Sequence, residues 1–270
     1  MSTRVKWKDL ELYEFSMGEA EEMMKITKLL DSLAEVSEKF KQVGKNNSKL
    51  RSKIETQIFS DLLNEGEGSI IVKLDDVTSH VSDGPFGSKL KSEHYTDTGV
   101  RVVRLGNIGN GEFISIDEAY ISEEYHSKEL ASYTLKLNDI VLAGLGDDKN
   151  LIGRNFMVDE SILPAIHKAD CFCIRPTHLI HPKFLMYYLN SSVCQLEMKR
   201  FAQGGTRLRL NGTNLKKVKV PLPPLDYQQK IVEFISLSRN TSNMWDLHPL
   251  TDDKLLKHVI EIKLGRLDVI

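Results

Sequence analysis

Cysteine is scarce, with only Cys171, Cys173 and Cys194 in 270 residues. An odd number suits reduced thiols and excludes a fully paired disulfide framework. Long apolar runs are missing as well. None approaches the ~20 residues needed to span a bilayer, and the opening MSTRVKWKDLELYEF has no signal-peptide core. A cytoplasmic chain that avoids membranes is therefore expected. Net charge is nearly absent at −2, which excludes a surface that is basic all over. Apolar content of 41% and charged content of 27% leave room for one or two domains with a real core.

The charge that is present is polarised. Residues 112–129 carry six anions against Lys128. Residues 199–219 carry seven cations and no acid: Lys199, Arg200, Arg207, Arg209, Lys216, Lys217 and Lys219. A dipolar domain can turn one face towards a polyanion while the other face repels it. Guanidinium groups bind phosphate bidentately, and the neighbouring Gln203, Thr206, Asn211, Thr213 and Asn214 supply polar edges.

Residues 21–63 carry the clearest periodicity. Ile26, Leu33, Phe40, Asn47 and Ile54 recur every seven residues, as do Leu29, Val36, Val43, Leu50 and Gln57. The two series alternate steps of three and four, an a/d seam of period 3.5 that predicts a coiled-coil helix. About forty residues would make a rod of roughly 60 Å. Its weak centre is GKNNS at 44–48, which reads either as a kink or as a hairpin turn. The unbroken heptad phase favours one kinked helix, with Asn47 on the seam setting register.

Beyond a Gly66/Gly68 linker, residues 69–224 alternate strand-like and turn-like pieces. Strands are expected at 69–74, 100–105, 139–143, 155–158, 171–174 and 217–220, and helices at 122–132 and 182–202. In the second helix Phe184, Leu185, Tyr188, Leu189, Leu196 and Met198 form the buried face. Pro221, Pro223 and Pro224 lack the N–H a central strand needs and are read as a domain edge, after which Asp226 caps a helix reaching about residue 240. A last helix is expected from about residue 251. The fold class is α+β: one mixed domain at 69–224 attached to a long coiled-coil-forming N-terminal helix at 21–65. Residues 1–20 form a separate segment that packs on an unidentified surface, and residues 225–270 form short helices.

Three motifs carry a resemblance. GTRLRLN at 205–211 runs through the basic strand into PLPPLDYQQKIV. DGPFGSKL at 83–90 is followed by Tyr95 and GVRVVRLGNI at 99–108. LNDIVL occupies 137–142. In this order they resemble the target-recognition domain of the DNA-specificity subunit of type I restriction-modification systems. In that family Gly usually precedes the Asp of the third motif, where this chain has Asn138. The resemblance implies a half-size subunit with one recognition domain and one long spacer helix, since the second long spacer helix is missing from the pattern. It also implies double-stranded DNA as ligand and a methyltransferase subunit as partner, with S-adenosylmethionine bound on that partner rather than on this chain. A restriction subunit could join, and two copies related by a twofold axis would read the two halves of a bipartite site. The expected DNA contacts are Arg207 and Arg209, then Lys89, Arg104, Asn107 and Arg154. Lys216 and Lys217 are assigned to phosphates or to the domain edge. For Arg101 and Arg104 an equally good reading is a strand residue paired with a carboxylate.

Signals for chemistry are thin. The one Pro-Pro, at 223–224, lacks the polar and aromatic neighbours of an adenine methyltransferase. Gly144-Leu-Gly146 is followed by acids that suit no phosphate cradle. Glu261-Ile-Lys263 has the spacing of a nuclease element without a supporting carboxylate. Cys171, Cys173, His178 and His181 could hold zinc, although CFCI reads better as an apolar strand. No catalytic Ser/His/Asp or Cys/His arrangement can be recognised by spacing. A non-catalytic DNA reader is the expectation. A coiled-coil scaffold without a DNA role is the alternative, supported by the near-neutral charge and the acidic segment.

Overall fold

The computed structural model describes residues 20–64, 66–147 and 150–246. Leu50–Arg239 form one compact unit, and residues 20–49 and 240–246 are the described part of a second. The expectations for residues 1–19, and for a helix from about 251, lie outside the described residues.

Helix α1 spans Ala20–Leu63 without interruption. The GKNNS stretch continues the helix and forms no hairpin. Side chains there bond locally, Ser48 Oγ donating to the Lys45 carbonyl at 2.9 Å and Gln42 Nε2 to Asn46 Oδ1 at 3.1 Å. Of the predicted seam, Val43, Leu50, Ile54 and Gln57 have described side chains. All four are exposed, Leu50 by 58%. The remaining seam side chains lie outside the described residues.

From residue 66 the chain turns through Glu67, at φ 57°, into β1 (Ile70–Lys73) and β2 (Thr78–Ser82). Then come β3 (Tyr95–Thr96), β4 (Val100–Val103) and β5 (Tyr120–Ile121). The helix expected at 122–132 is three short turns: α2 (Glu123–Tyr125), a π turn over His126–Leu130 and a 3-10 turn over Ala131–Tyr133. Strands β6 (Ile140–Ala143), β7 (Leu145–Gly146), β8 (Asn155–Met157), β9 (Ala165–His167) and β10 (Cys171–Pro176) follow. The segment 182–202 is two helices, α3 (Pro182–Asn190) and α4 (Ser192–Phe201). Ser191 breaks them apart with extended backbone and caps α4 by accepting the Cys194 N–H. Leu196 does not join the buried face and is 55% exposed. The chain ends in β11 (Leu208–Arg209), α5 (Gly212–Leu215), β12 (Lys219–Leu222) and α6 (Leu225–Asp246).

Two four-stranded sheets make the frame. One has the order β2-β10-β6-β8 and is antiparallel throughout. The other has the order β3-β5-β4-β9, with β4 and β9 parallel. Strand β6 reads IVLA and is buried at every position because both its faces are covered. Its Ile140 and Leu142, with Phe172 and Ile174 of β10, face the helical core made with Phe59 and Leu62 of α1, Phe184 and Tyr188 of α3, and Ile231 and Ile235 of α6. Val141, Ala143, Cys171 and Cys173 face the other way, towards Val103 and Ala165 of the second sheet. The i, i+2 spacing that suggested metal ligands is thus strand alternation within an apolar layer. Burial pushes both thiols well above their ordinary range.

The prolines do not end the domain where the sequence suggests. Pro221 lies inside β12 and faces Ile71 of β1. The pair β1–β12 is a separate two-stranded ribbon, where a missing N–H can be tolerated. Asp226 is not a cap either, because α6 already begins at Leu225 and Asp226 sits in its first turn, where a carboxylate favours the positive end of the dipole. Asn138 has φ 68°. The left-handed conformation explains why Asn can stand where the resembled family usually has Gly. It also turns the chain so that Asp139 can accept two bonds from Arg175, at 2.8 and 2.7 Å.

His167 closes β9 in the interior. Its Nδ1–H donates to the Cys171 carbonyl at 2.6 Å, and Nε2 has no protein partner. Burial holds its pKa down at about 4. The unfolded chain therefore takes up a proton at a pH where the folded chain does not. The resulting stability is complete above pH 6.5 and is lost as pH falls towards 4. The linkage amounts to about 3 kcal/mol. Urea unfolding should show the gap between wild type and His167→Gln shrinking from pH 7.5 to pH 4.5. A constant gap would contradict the assignment.

Candidate functional site

Three loops meet beside the end of β10. The first leaves β2 at Asp83. Its Oδ1 accepts the backbone N–H of Gly84 at 2.7 Å and that of Asp170 at 2.7 Å. Gly84 lies against the backbone of residues 167–168. A Cβ there would fall 2.2 Å from the Lys168 carbonyl carbon, so only glycine fits. Phe86 follows, exposed by 47%. Gly87–Lys89 form a 3-10 turn. The Lys89 amine lies 5.7 Å over the Tyr133 ring, and Tyr125 Oη donates to the Lys89 carbonyl at 2.7 Å. Leu90 anchors the far end in a third core with Val102, Ile121, Leu130 and Ile166. This loop is thus rigid at both ends and open in the middle.

The second loop is the 168–170 turn joining β9 to β10. Asp170 adopts φ 64°. Its N–H goes to Asp83, and its carbonyl accepts the Gly144 N–H at 2.8 Å. Lys168 Nζ sits 5.6 Å over the Tyr95 ring. The third loop is the 203–209 hairpin, opened by Gly204 at φ 113°. Gln203 and Arg209 exchange both backbone hydrogen bonds, at 2.9 and 2.8 Å. Arg209 also pairs with Leu145 on its other side, so its backbone is held from both edges. Arg207 projects from the hairpin, exposed and without a partner among the described residues. The Arg209 side chain is 54% exposed and forms an ion pair with Asp170, Nη2 to Oδ1 2.8 Å, with Cζ 5.6 Å from the Phe86 ring centre.

The structure therefore gathers Lys89, Arg209 and the adjacent Arg207 around one surface, together with Lys168. Other expected site residues lie elsewhere. Asn107 is turned inward and corrects its sequence-based assignment. Its Nδ2 donates to the Ile114 and Ile116 carbonyls, and its Oδ1 accepts the Arg104 N–H, so it ties a turn together. Arg154 is a second correction. It is half-buried, its guanidinium donates to the carbonyls of Ile108, Leu145, Leu151 and Leu105, and burial pulls its pKa down. It braces loops, with four of its five N–H donors spent on backbone carbonyls. Arg104 is half-buried and donates to the Asp117 carbonyl. Arg101 pairs with Glu118 at 3.4 Å between the Phe113 and Tyr120 rings. Lys216 pairs with Asp75 at 3.0 Å near the β1–β12 ribbon, and Lys217 is exposed. The cationic run of 199–219 is thus divided among separate elements.

Asp170 and Lys168 had no signal in the sequence, since HKAD between two strands reads as an ordinary turn. Asp83 and Phe86 stood in a motif but without a role.

The same geometry tests for a nucleotide cofactor. Cβ positions on Gly144 and Gly146 would lie 2.5 Å from the Phe172 ring and 2.3 Å from the Ile152 nitrogen. These glycines serve packing, and the backbone they free is taken up by the β7–β11 pair. The space beside this Gly-Leu-Gly turn is filled by the chain's own Phe172 and Ile152. Among the described residues no group of three or more His, Cys, Asp or Glu side chains could hold a metal. Among the described residues no helix is long and apolar enough to cross a membrane.

The compact unit is a mixed helix-and-strand fold that presents cationic and aromatic side chains on one set of loops. The chain belongs to the family of the type I restriction modification DNA specificity domain, whose model matches residues 67–243. It is 28% identical over 168 residues to the type I restriction enzyme MjaVIII specificity subunit of Methanocaldococcus jannaschii, covering 60% of this chain and 37% of that one. To the EcoBI specificity subunit of Escherichia coli it is 31% identical over 134 residues, covering 50% of this chain and 27% of that one. The chain thus spans about a third of the length of the curated relatives it matches. Its fold is similar to the HsdS subunit from Thermoanaerobacter tengcongensis, with TM-score 0.61 at 16% identity, covering 90% of this chain and 56% of that one. A structure described under complex assembly and conformational transition of the type I R-M system matches with TM-score 0.65 at 17% identity, covering 96% and 62%.

Asp83 gives the surface a titratable foot. Partial burial pushes its pKa up to about 6. Because the raised value favours the protonated folded state, ionisation costs stability as pH rises from about 4 to about 6, and the cost is constant above that; solvent screening at this half-exposed position keeps it modest. Asp83→Asn keeps the Oδ1 acceptor and removes the charge. Its stability advantage over wild type, read from denaturant midpoints, should be larger at pH 7 than at pH 4. An equal difference at both would contradict this.

Proposed function

We propose that this chain is the sequence reader of a type I restriction-modification system. The unit at 50–239 docks on duplex DNA with the surface formed by residues 83–90, 168–170 and 203–209. The observation that carries this is the convergence of two motif segments, over a hundred residues apart in sequence, on one surface with an unpaired Arg207 and a half-exposed Arg209. Major-groove edges offer guanidinium groups the O6 and N7 acceptors of guanine. Lys89 and Lys168 fit phosphate contacts, which set register without reading sequence.

The helices act as spacer and platform. Exposed Val43, Leu50 and Ile54 on α1 support an apolar seam that takes a partner helix. The seat of α1 on the compact unit is firm. Phe59 packs edge-on to Phe184 and Tyr188 with ring centres 5.8 and 5.4 Å apart. Glu55 pairs with Arg239, at 3.1 Å, which lies 4.5 Å over Tyr187. One recognition unit reads half a bipartite site, and twofold pairing through the helices would supply the other half. A methyltransferase partner carrying S-adenosylmethionine supplies the methyl transfer, and a restriction subunit can join the same platform. This chain binds and orients, and makes or breaks no bond.

Arg207→Ala and Arg209→Ala should each weaken specific binding by about 1–3 kcal/mol, whereas Lys89→Ala should weaken binding to all sequences alike and reduce the salt slope by about one. Equilibrium binding to a duplex selected from a random pool, over a range of salt, measures all three. Full-strength specific binding by both arginine variants would reject the surface. No salt-dependent DNA binding by the wild type, alone or with a methyltransferase, would favour the scaffold reading.

A further inference from the structure

A cationic DNA-facing surface gains nothing electrostatically from an acid beside its best-placed arginine, yet Asp170 stands there. Its carboxylate meets Arg209 Nη2 at 2.8 Å, and it is held in place by two bonds of its own backbone. It does this from a left-handed conformation, φ 64°, which a non-glycine residue adopts at some cost and which tends to persist at functional sites. Opposite it, the Phe86 ring lies under the same guanidinium. One edge of Arg209 is therefore fixed by charge and one face by an aromatic ring. The ion pair approaches most closely through one nitrogen, and a guanidinium carries five N–H donors, so it can still offer donors to a second, bidentate acceptor.

We propose that Asp170 is a positioning residue that holds the Arg209 guanidinium against Phe86, ready to read a base edge in the major groove. The inference rests on the DNA-reading function proposed above. An unrestrained arginine loses much of its rotamer freedom on binding. Restraining it beforehand moves that loss into folding, so the gain appears only where the guanidinium meets a matching acceptor pair. The acid's negative charge meanwhile weakens contact with every phosphate nearby. The two effects have opposite signs on specific and non-specific DNA, which separates a positioning role from a merely structural one.

The test uses the full chain with its methyltransferase partner and two duplexes at fixed salt: one selected from a random pool by the wild type, and one scrambled to the same composition. Asp170→Asn keeps the left-handed turn, which Asn tolerates, and removes the charge. Expected are an affinity for the scrambled duplex that is unchanged or higher, an affinity for the selected duplex that is lower, and a specificity ratio reduced about tenfold. In an Arg209→Ala background the same change should leave the ratio untouched. A wild-type ratio in Asp170→Asn, or an equal fall on both duplexes, overturns the proposal. If Asp170→Asn melts early, Asp170→Gly, which also suits the turn, is read by the same ratio. A wild type that selects no sequence would instead defeat the DNA-reading function itself.

Discussion

Asp170 is the point at which the candidate surface is held together. Its N–H fastens the 83–90 loop through Asp83, its carbonyl fastens Gly144, and its carboxylate fastens Arg209 of the hairpin. Each bond crosses between segments far apart in the chain, and none belongs to a sheet ladder. A turn so tied can sit where it does only because β9 and β10 enter it from two different sheets. The surface is therefore a product of how the sheets stack: two layers share the core of Val141, Cys171, Cys173 and Ala165, and the connection between layers emerges at one end, carrying Lys168 and Asp170 with it. Loops positioned by such a frame can present side chains with little freedom left to lose.

The helices obey a different constraint. Within the compact unit the last turns of α1 and the first turns of α6 are as well packed as any core element, with Phe59, Leu62, Ile231 and Ile235 all buried. Leu50, Ile54 and Phe234 on the same two helices remain exposed. The apolar pattern thus serves two purposes along a single helix: one stripe secures the seat on the domain, and another stays open to solvent. A helix of 44 residues owes little of its stability to propensity through GKNNS and must draw on packing.

Much of the architecture was readable from local pattern. The 3.5-residue period located α1, and apolar runs located six of the twelve strands among the described residues; the short strands β2, β3, β5, β7, β9 and β11 carry too few apolar residues to stand out. The failures share a cause. Asn107 and Arg154 lie in motif segments and look like polar readers, but their donors and acceptors are consumed by backbone groups brought in from residues up to 49 positions away. Pro221 looks like a terminator until the ribbon it belongs to is seen to have only two strands. Leu196 follows the helical spacing, yet a break at Ser191 puts it on a separate helix with a different buried face. The pairing of Asp170 with Arg209 was invisible for the same reason: side-chain economy is settled by tertiary contacts that no spacing encodes. Asn138 is the opposite case. Its departure from the resembled pattern had a local meaning, since the position needs a left-handed residue and Asn is one of the few that supply it.

Amide hydrogen exchange on the chain mixed with a methyltransferase subunit, with and without a selected duplex, tests most directly the proposal that one convergent surface meets DNA. The account predicts added protection in residues 83–90, 168–170 and 203–209 together, and none in the 105–116 turn that Asn107 closes. Protection of the acidic 112–129 segment, with the three loops unchanged, would contradict it.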